Sequence, residues 1–198
     1  VGSEMCIRDR EYAGETKIAL MDNSSLAFMH ELSQRSYPSD GILSVYDLIL
    51  IPKWVMEEIE DSTYRSTYVE QLQAQGYPIR WIDETKYGAF VNDEDVNLYY
   101  IVEAAVSRVS ELMRFLRRKV KNEDLIDLPS AEEWMNRLYD EWPIHGRTLS
   151  TGRTLKKNAG EISLTILAEI FAWYHDGVDS LTIYCLLYTS DAADEGLG

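Results

Sequence analysis

Three short apolar runs, each followed by a helical pattern, limit what this chain can build. They are KIALM ending in Asp22 (17–22), LILIP (48–52) and the run PIRWI (78–82). Between them lie helical segments. One covers about 24–35, with Leu26, Met29 and Leu32 on one face. Another covers about 53–62, and a third, about 66–75, ends at Gly76 with Pro78 just beyond. A turn cluster, SYPSDG, fills 36–41. Strands alternating with helices predict a parallel sheet with helices packed on it, an α/β fold.

Residues 85–157 break that rhythm. Leu98, Val102, Ala105, Val109, Leu112 and Leu116 recur every three or four residues, which predicts one face of a long helix. Ser130-Ala131-Glu132-Glu133 reads as a capping box opening another helix, with Trp134, Leu138 and Trp142 a turn apart and Pro143 as the stop. The expectation is a helical insertion, about 85–157, inside the α/β domain. After it, 161–174 is a strongly apolar helix, and 179–184 (DSLTIY) starts one more strand.

The two ends carry a separate message. Back-translation of MCIRD (5–9) gives a DNA element whose opposite strand encodes the CLLYT of 185–189. Residues 1–10 and 185–198 therefore look like translated sequencing-adapter sequence, as from a metagenomic fragment, and 11–184 like the natural domain, truncated at its C-terminus. On that expectation Cys6 and Cys185 both fall outside the domain, and disulfides and cysteine-ligated metal drop out.

With 34 acidic against 19 basic residues, the formal charge of −15 opposes broad electrostatic binding to nucleic acid. It leaves room for a site where metal ions supply the positive charge. No apolar run is as long as a membrane span, and a soluble cytoplasmic protein without membrane contact is expected.

Three acids occupy privileged places. Asp22 ends the first strand, Glu58 lies on the first turns of the helix after the second, and Glu161 opens the helix at 161. In a parallel sheet the strand C-termini share one edge, with helix starts nearby. Carboxylates gathered there need a cation, and oxygen-only ligands select Mg²⁺ or Mn²⁺. Such a site suits metal-assisted attack on a phosphodiester. Each acid also has a plainer reading. Asp22 would cap the next helix, Glu57–Glu58 would be a solvated face, and Glu161 would complement a helix dipole.

Taken together, Asp22 in IALMDNSSLA, Glu58 in LILIPKWVMEEI and Glu161 in NAGEISLTILA resemble the PIN-domain family of ribonucleases. The shared features are an apolar strand ending in Asp with Ser two residues on, a Pro-x-x-Val-x-x-Glu-aliphatic block, and a Gly-Glu helix start. The resemblance covers about 17–83 and 155–184. It implies a three-layer PIN-like fold, a central parallel sheet flanked by helices, here carrying the helical insertion. It further implies a prokaryotic endoribonuclease in which Asp22, Glu58 and Glu161 are catalytic, hold one or two Mg²⁺ or Mn²⁺ ions and direct water at an RNA phosphate. Ser24 would support the site. Glu58 is preferred to Glu57 because it directly precedes the aliphatic Ile59. The family carries a further acid after its last strand. Here the adapter-like end supplies only an accidental Ser190-Asp191 imitation.

Many such domains are toxins of toxin–antitoxin pairs, so candidate partners are RNA, an antitoxin or other protein, and a second copy of the chain. Arg153, Lys156 and Lys157, with Arg147, precede Glu161 and are candidate RNA contacts. Arg114, Arg117, Arg118, Lys119 and Lys121 are read either as cations at a helix C-terminus or as an RNA-contacting patch. The rival to the enzyme is an inactive PIN-like interaction module that binds a protein through the insertion.

Overall fold

The computed structural model describes residues 14–37, 40–91, 95–120, 130–149, 151–175 and 177–185. Cys6, Lys121, Ser190 and Asp191 lie outside the described residues. Strand β1 (Lys17–Met21) leads into helix α1 (Asn23–Gln34) and a 3₁₀ turn (Asp40–Val45). Strand β2 (Leu48–Pro52), helices α2 (Lys53–Ile59) and α3 (Thr63–Ala74) and strand β3 (Ile79–Ile82) follow. A second 3₁₀ segment (Glu84–Phe90) opens the inserted region, which holds α4 (Asp95–Val106), α5 (Ser110–Val120), α6 (Ala131–Asp140), β4 (His145–Thr148) and β5 (Thr154–Lys156). Helix α7 (Ala159–Tyr174) and strand β6 (Ser180–Tyr184) come last.

The fold is mixed α/β, with a central four-stranded parallel sheet flanked by helices, as the alternating pattern predicts. The strand order is β3-β2-β1-β6, all parallel. β2 is buried along its whole length and β1 everywhere but Lys17. That double-sided burial explains why both read as unbroken apolar runs rather than alternating ones. Edge strand β3 exposes Arg80 and Trp81. Helix α3 ends as its Gly-Tyr-Pro signal predicts. Gly76 sits at φ +93°, and the Tyr77 N–H reaches back to the Leu72 carbonyl at 3.2 Å.

Two expectations for the insertion are corrected. The long helix over 98–116 is two helices, α4 and α5. The Ser107 N–H donates to the Ala104 carbonyl and the Val109 N–H to the Val106 carbonyl, three-residue bonds that close a turn and end α4. Ser107 and Val109 are weak helix formers, so little opposes the break. Leu98, Val102, Leu112 and Leu116 are nonetheless all buried, with α5 packed on α4 and α4 on α7. Nor is the region wholly helical, because β4 and β5 form an antiparallel hairpin. Its tip turns at Gly152, φ +82°, and Thr148 and Thr154 pair hydroxyls across it at 3.1 Å. β-branched threonines favour that extended backbone over a helix. The Ser130 cap is present, its hydroxyl accepting from the Glu133 N–H at 3.3 Å, and Trp134, Leu138 and Trp142 are buried. No helix among the described residues is long and apolar enough to cross a membrane.

Candidate functional site

The strand order fixes where a site belongs. From β1 the chain builds outward through β2 and β3, then returns to add β6 on β1's other side. The carboxyl ends of β1 and β6 flank the point where that order reverses, where open parallel sheets leave a crevice. Asp22 stands at this point. Its backbone N–H donates to the Tyr184 carbonyl at 2.9 Å, tying it to β6. Its carboxylate Oδ2 accepts from the Ser24 hydroxyl at 2.5 Å and the Ser24 N–H at 3.4 Å, capping α1. The side chain is buried at 7% exposure. Asp22 is thus a helix cap, and its second oxygen, Oδ1, is aimed at the start of α7.

Gly160 shows how close the pieces come. A Cβ there would lie 3.0 Å from Val55 Cγ2, 3.4 Å from Glu58 Oε1 and 3.8 Å from Asp22 Oδ1. The first turn of α7 therefore lies within contact of both carboxylates, and a Cβ at 160 would crowd Val55 beside them. Glu161 follows on that turn, with an exposed side chain. The start of α7 is held by the inserted region. Trp142 Nε1 donates to the Lys157 carbonyl at 3.0 Å, the Lys157 N–H donates to the Ile144 carbonyl at 3.0 Å, and Asn158 takes a left-handed φ of 64°.

The electrostatics reflect this crowding. Burial pushes the Glu58 carboxyl up to about 7, and the charges of Asp22 and Glu161 push the same way. Opposing them, Asn23 Nδ2 donates to Glu58 Oε2 at 3.4 Å, and Arg65, whose guanidinium donates to Asn23 Oδ1 at 2.5 Å, adds positive charge. The Cys185 thiol points at Asp22 Oδ2 from 3.8 Å. Burial and the charges of Asp22 and Glu161 raise it to about 12. The donor set suits a hard cation, since it is oxygen only and carries mutual repulsion that a divalent ion would relieve. Among the described residues, no three His, Cys, Asp or Glu side chains are grouped closely enough to hold an ion as they stand. Asp22 and Glu58 converge, and Glu161 interacts through its charge at longer range.

Of the candidate RNA contacts beside this cluster, Lys157 is exposed, whereas Arg153, Lys156 and Arg147 each engage a neighbour within the chain. Arg153 and the Tyr139 hydroxyl both donate to Glu57 Oε2. Lys156 donates to the Tyr139 carbonyl, its ammonium 4.0 Å from the ring centre. Burial lowers its pKa first, and the Arg153 charge lowers it further. Tyr139 in turn stacks on Trp54 at 4.8 Å, and Trp142 meets Trp54 edge-on. Arg147 stands 3.6 Å from Asp61. This cluster pins the hairpin to α2 at Glu57, the residue just before Glu58.

One acid of this neighbourhood escaped the sequence reading. Glu84 is 1% exposed and accepts from the Trp54 N–H at 2.9 Å and the Ser163 hydroxyl at 2.7 Å, and Tyr87 pairs with that same hydroxyl. Its other oxygen, Oε2, has no partner among the described residues. Burial raises its carboxyl to about 7. A signal was available. Asp83-Glu84-Thr85 closes β3 much as Asp22-Asn23-Ser24 closes β1, with Asp83 Oδ1 accepting from the Thr85 N–H and hydroxyl.

Comparison with known proteins adds no assignment: no family model matches the chain, and neither a curated protein nor a solved structure matches it.

Proposed function

We propose that the chain is a Mg²⁺- or Mn²⁺-dependent endoribonuclease of PIN-like type, with Asp22, Glu58 and Glu161 as its acids. The observation that carries this reading is the pair Asp22–Glu58 at the strand-order reversal. Both are packed against the bare backbone of Gly160, with Glu58 raised to about 7 by burial and by its acidic neighbours. A fold that keeps repelling carboxylates together at the crevice of its sheet has a use for a cation there. A bound divalent ion would supply charge neutralisation and an activated water for cleavage of an RNA phosphodiester. The chain's own residues do the positioning. Ser24 fixes the Asp22 carboxylate, Asn23 holds Glu58, and Arg65 holds Asn23. Leu98, Val102, Leu112 and Leu116 of the α4–α5 face are buried within the chain, which favours this reading over an interaction module. The toxin role and an antitoxin partner rest on the resemblance alone.

The test is cleavage of labelled RNA with added Mn²⁺, wild type against Asp22→Asn. Asn caps helices as well as Asp, so the fold is retained while a charged ligand is removed. The expected loss is at least ~100-fold, above the range seen when only a supporting partner of a metal ligand is removed. Equal rates would strip Asp22 of any catalytic role.

A further inference from the structure

The chain is strongly acidic, yet one corner of it gathers arginines around a cavity. Where α4 gives way to α5, a groove of about 590 Å³ is lined by Ser107, Ser110, Met113, Arg114, Arg117 and Arg118. Arg117 and Arg118 follow Arg114 by three and four residues, on one side of α5. Like charges at that spacing destabilise a helix by a few tenths of a kcal/mol per pair, about 0.2–0.5. The packing of α5 does not require them, because Leu112, Phe115 and Leu116 form its buried side. Acids are in excess over the whole sequence, 34 against 19 bases. Among the described residues, however, only Arg117 of the three has an acid within 4 Å, Glu103 at 3.8 Å.

We infer that this groove binds the phosphates of a nucleic-acid strand, the guanidiniums pairing with phosphate oxygens and the Ser107 and Ser110 hydroxyls donating beside them. Guanidinium forks match phosphate in two-point geometry. Three of them spread over a helical turn exceed what one small anion engages, whereas successive phosphates of a strand engage each in turn. Local positive charge in a negative molecule also sets where a polyanion lands. The inference rests on the nuclease reading, in that it gives the RNA a second hold away from the acids. It stands apart from Arg153 and Lys156, each of which uses a donor within the fold.

Binding of a fluorescent single-stranded RNA, followed by anisotropy in EDTA so that nothing is cut, tests it. The variant is Arg114→Gln with Arg117→Gln and Arg118→Gln. The control is Arg35→Gln with Arg80→Gln and Arg137→Gln, which removes the same charge from other exposed ion pairs. The groove variant should keep the wild-type melting temperature. It should bind at least ~10-fold more weakly, with a salt slope shallower by about 2. The control should bind like wild type. Three results overturn the inference: wild-type affinity in the groove variant, an equal loss in the control, or displacement of the RNA by poly-glutamate as readily as by unlabelled RNA. The same proteins assayed with Mn²⁺ separate the two proposals. Arginine-dependent binding with no cleavage by wild type sinks the nuclease and leaves the groove. Cleavage and binding unchanged in the groove variant do the reverse.

Discussion

Two strand ends on one edge of the sheet carry the same short device and use it differently. After β1, Asp22 accepts from the N–H and hydroxyl of Ser24; after β3, Asp83 accepts from the N–H and hydroxyl of Thr85. At the first, the Asp is buried and the residue between, Asn23, reaches Glu58. At the second, the Asp turns outward to Lys53 at 3.2 Å, and the residue between, Glu84, enters the core. Burial pushes up the Asp83 carboxyl, but Thr85 and Lys53 bring it below its usual value. Glu58 and Glu84 both reach about 7, with burial as the leading cause. Their other neighbours separate them. Glu58 is pushed further by two carboxylates, which a cation would relieve. Glu84 is pushed further by Asp83 alone, and more weakly, and accepts from neutral donors that bind α2, α7 and the 3₁₀ segment together. The same perturbed acidity marks a candidate site in one place and architecture in the other.

The contrast is most open to attack at Glu84. Glu84→Ala removes the acceptor of a buried backbone N–H and leaves a hole, and should cost about 3–5 kcal/mol in denaturant unfolding. A cost below about 1 kcal/mol would mean that Glu84 joins nothing. The pH dependence has a definite sign. The folded value of about 7 lies above the ordinary 4.5, so the folded state holds the Glu84 proton more tightly than the unfolded state. No penalty exists below 4.5; it grows between 4.5 and about 7 and is constant above. The Glu84 share of the unfolding free energy should therefore rise by about 3 kcal/mol as the pH falls from about 8 to below about 4.5. Glu84→Gln should remove that share and leave the smaller part due to Glu58.

The next test adds metal. An ion held by the acids of the folded chain, and not by the unfolded one, stabilises by about 2.7 kcal/mol at a hundredfold excess over its Kd. Mn²⁺ should raise the melting temperature of wild type and leave Asp22→Asn unmoved. Equal shifts in both would place the metal elsewhere.

The legible parts of this molecule are those written in local pattern. β1 and β2 announce themselves because full burial demands apolar residues at every position, and Gly76 because a helix end needs a positive φ. The position of Asp22 is legible because a strand end at a sheet edge is a property of the chain alone. Its nearness to Glu58 is not, since that depends on α7 docking through Gly160, far along the chain from either acid. The break at Ser107–Val109 was hidden because two helices packed together keep the same apolar spacing as one. The hairpin was hidden because its residues are largely exposed and carry little hydrophobic signal. Arg153 and Lys156 read as free cations because nothing local shows that Glu57 and Tyr139 lie opposite them.

The smallest effect separates the two acids most cleanly. Without metal, Glu58→Gln removes a charge that burial, Asp22 and Glu161 all oppose, while its amide oxygen still accepts from Asn23. Partial exposure dilutes the gain, so the expected stabilisation at pH ~8 in EDTA is about 1 kcal/mol. The gain should fade as the pH falls through about 7 towards the ordinary 4.5, where Glu58 is protonated in the folded state. It should reverse when Mn²⁺ is added, because the variant then lacks a ligand. Stabilisation gained by removing a residue from a repelling charge cluster is the expected signature of a site kept for function. If Glu58→Gln instead destabilises the metal-free protein at pH ~8, as Glu84→Ala does at any pH, then Glu58 is architectural too. The distinction between the two strand ends would then disappear.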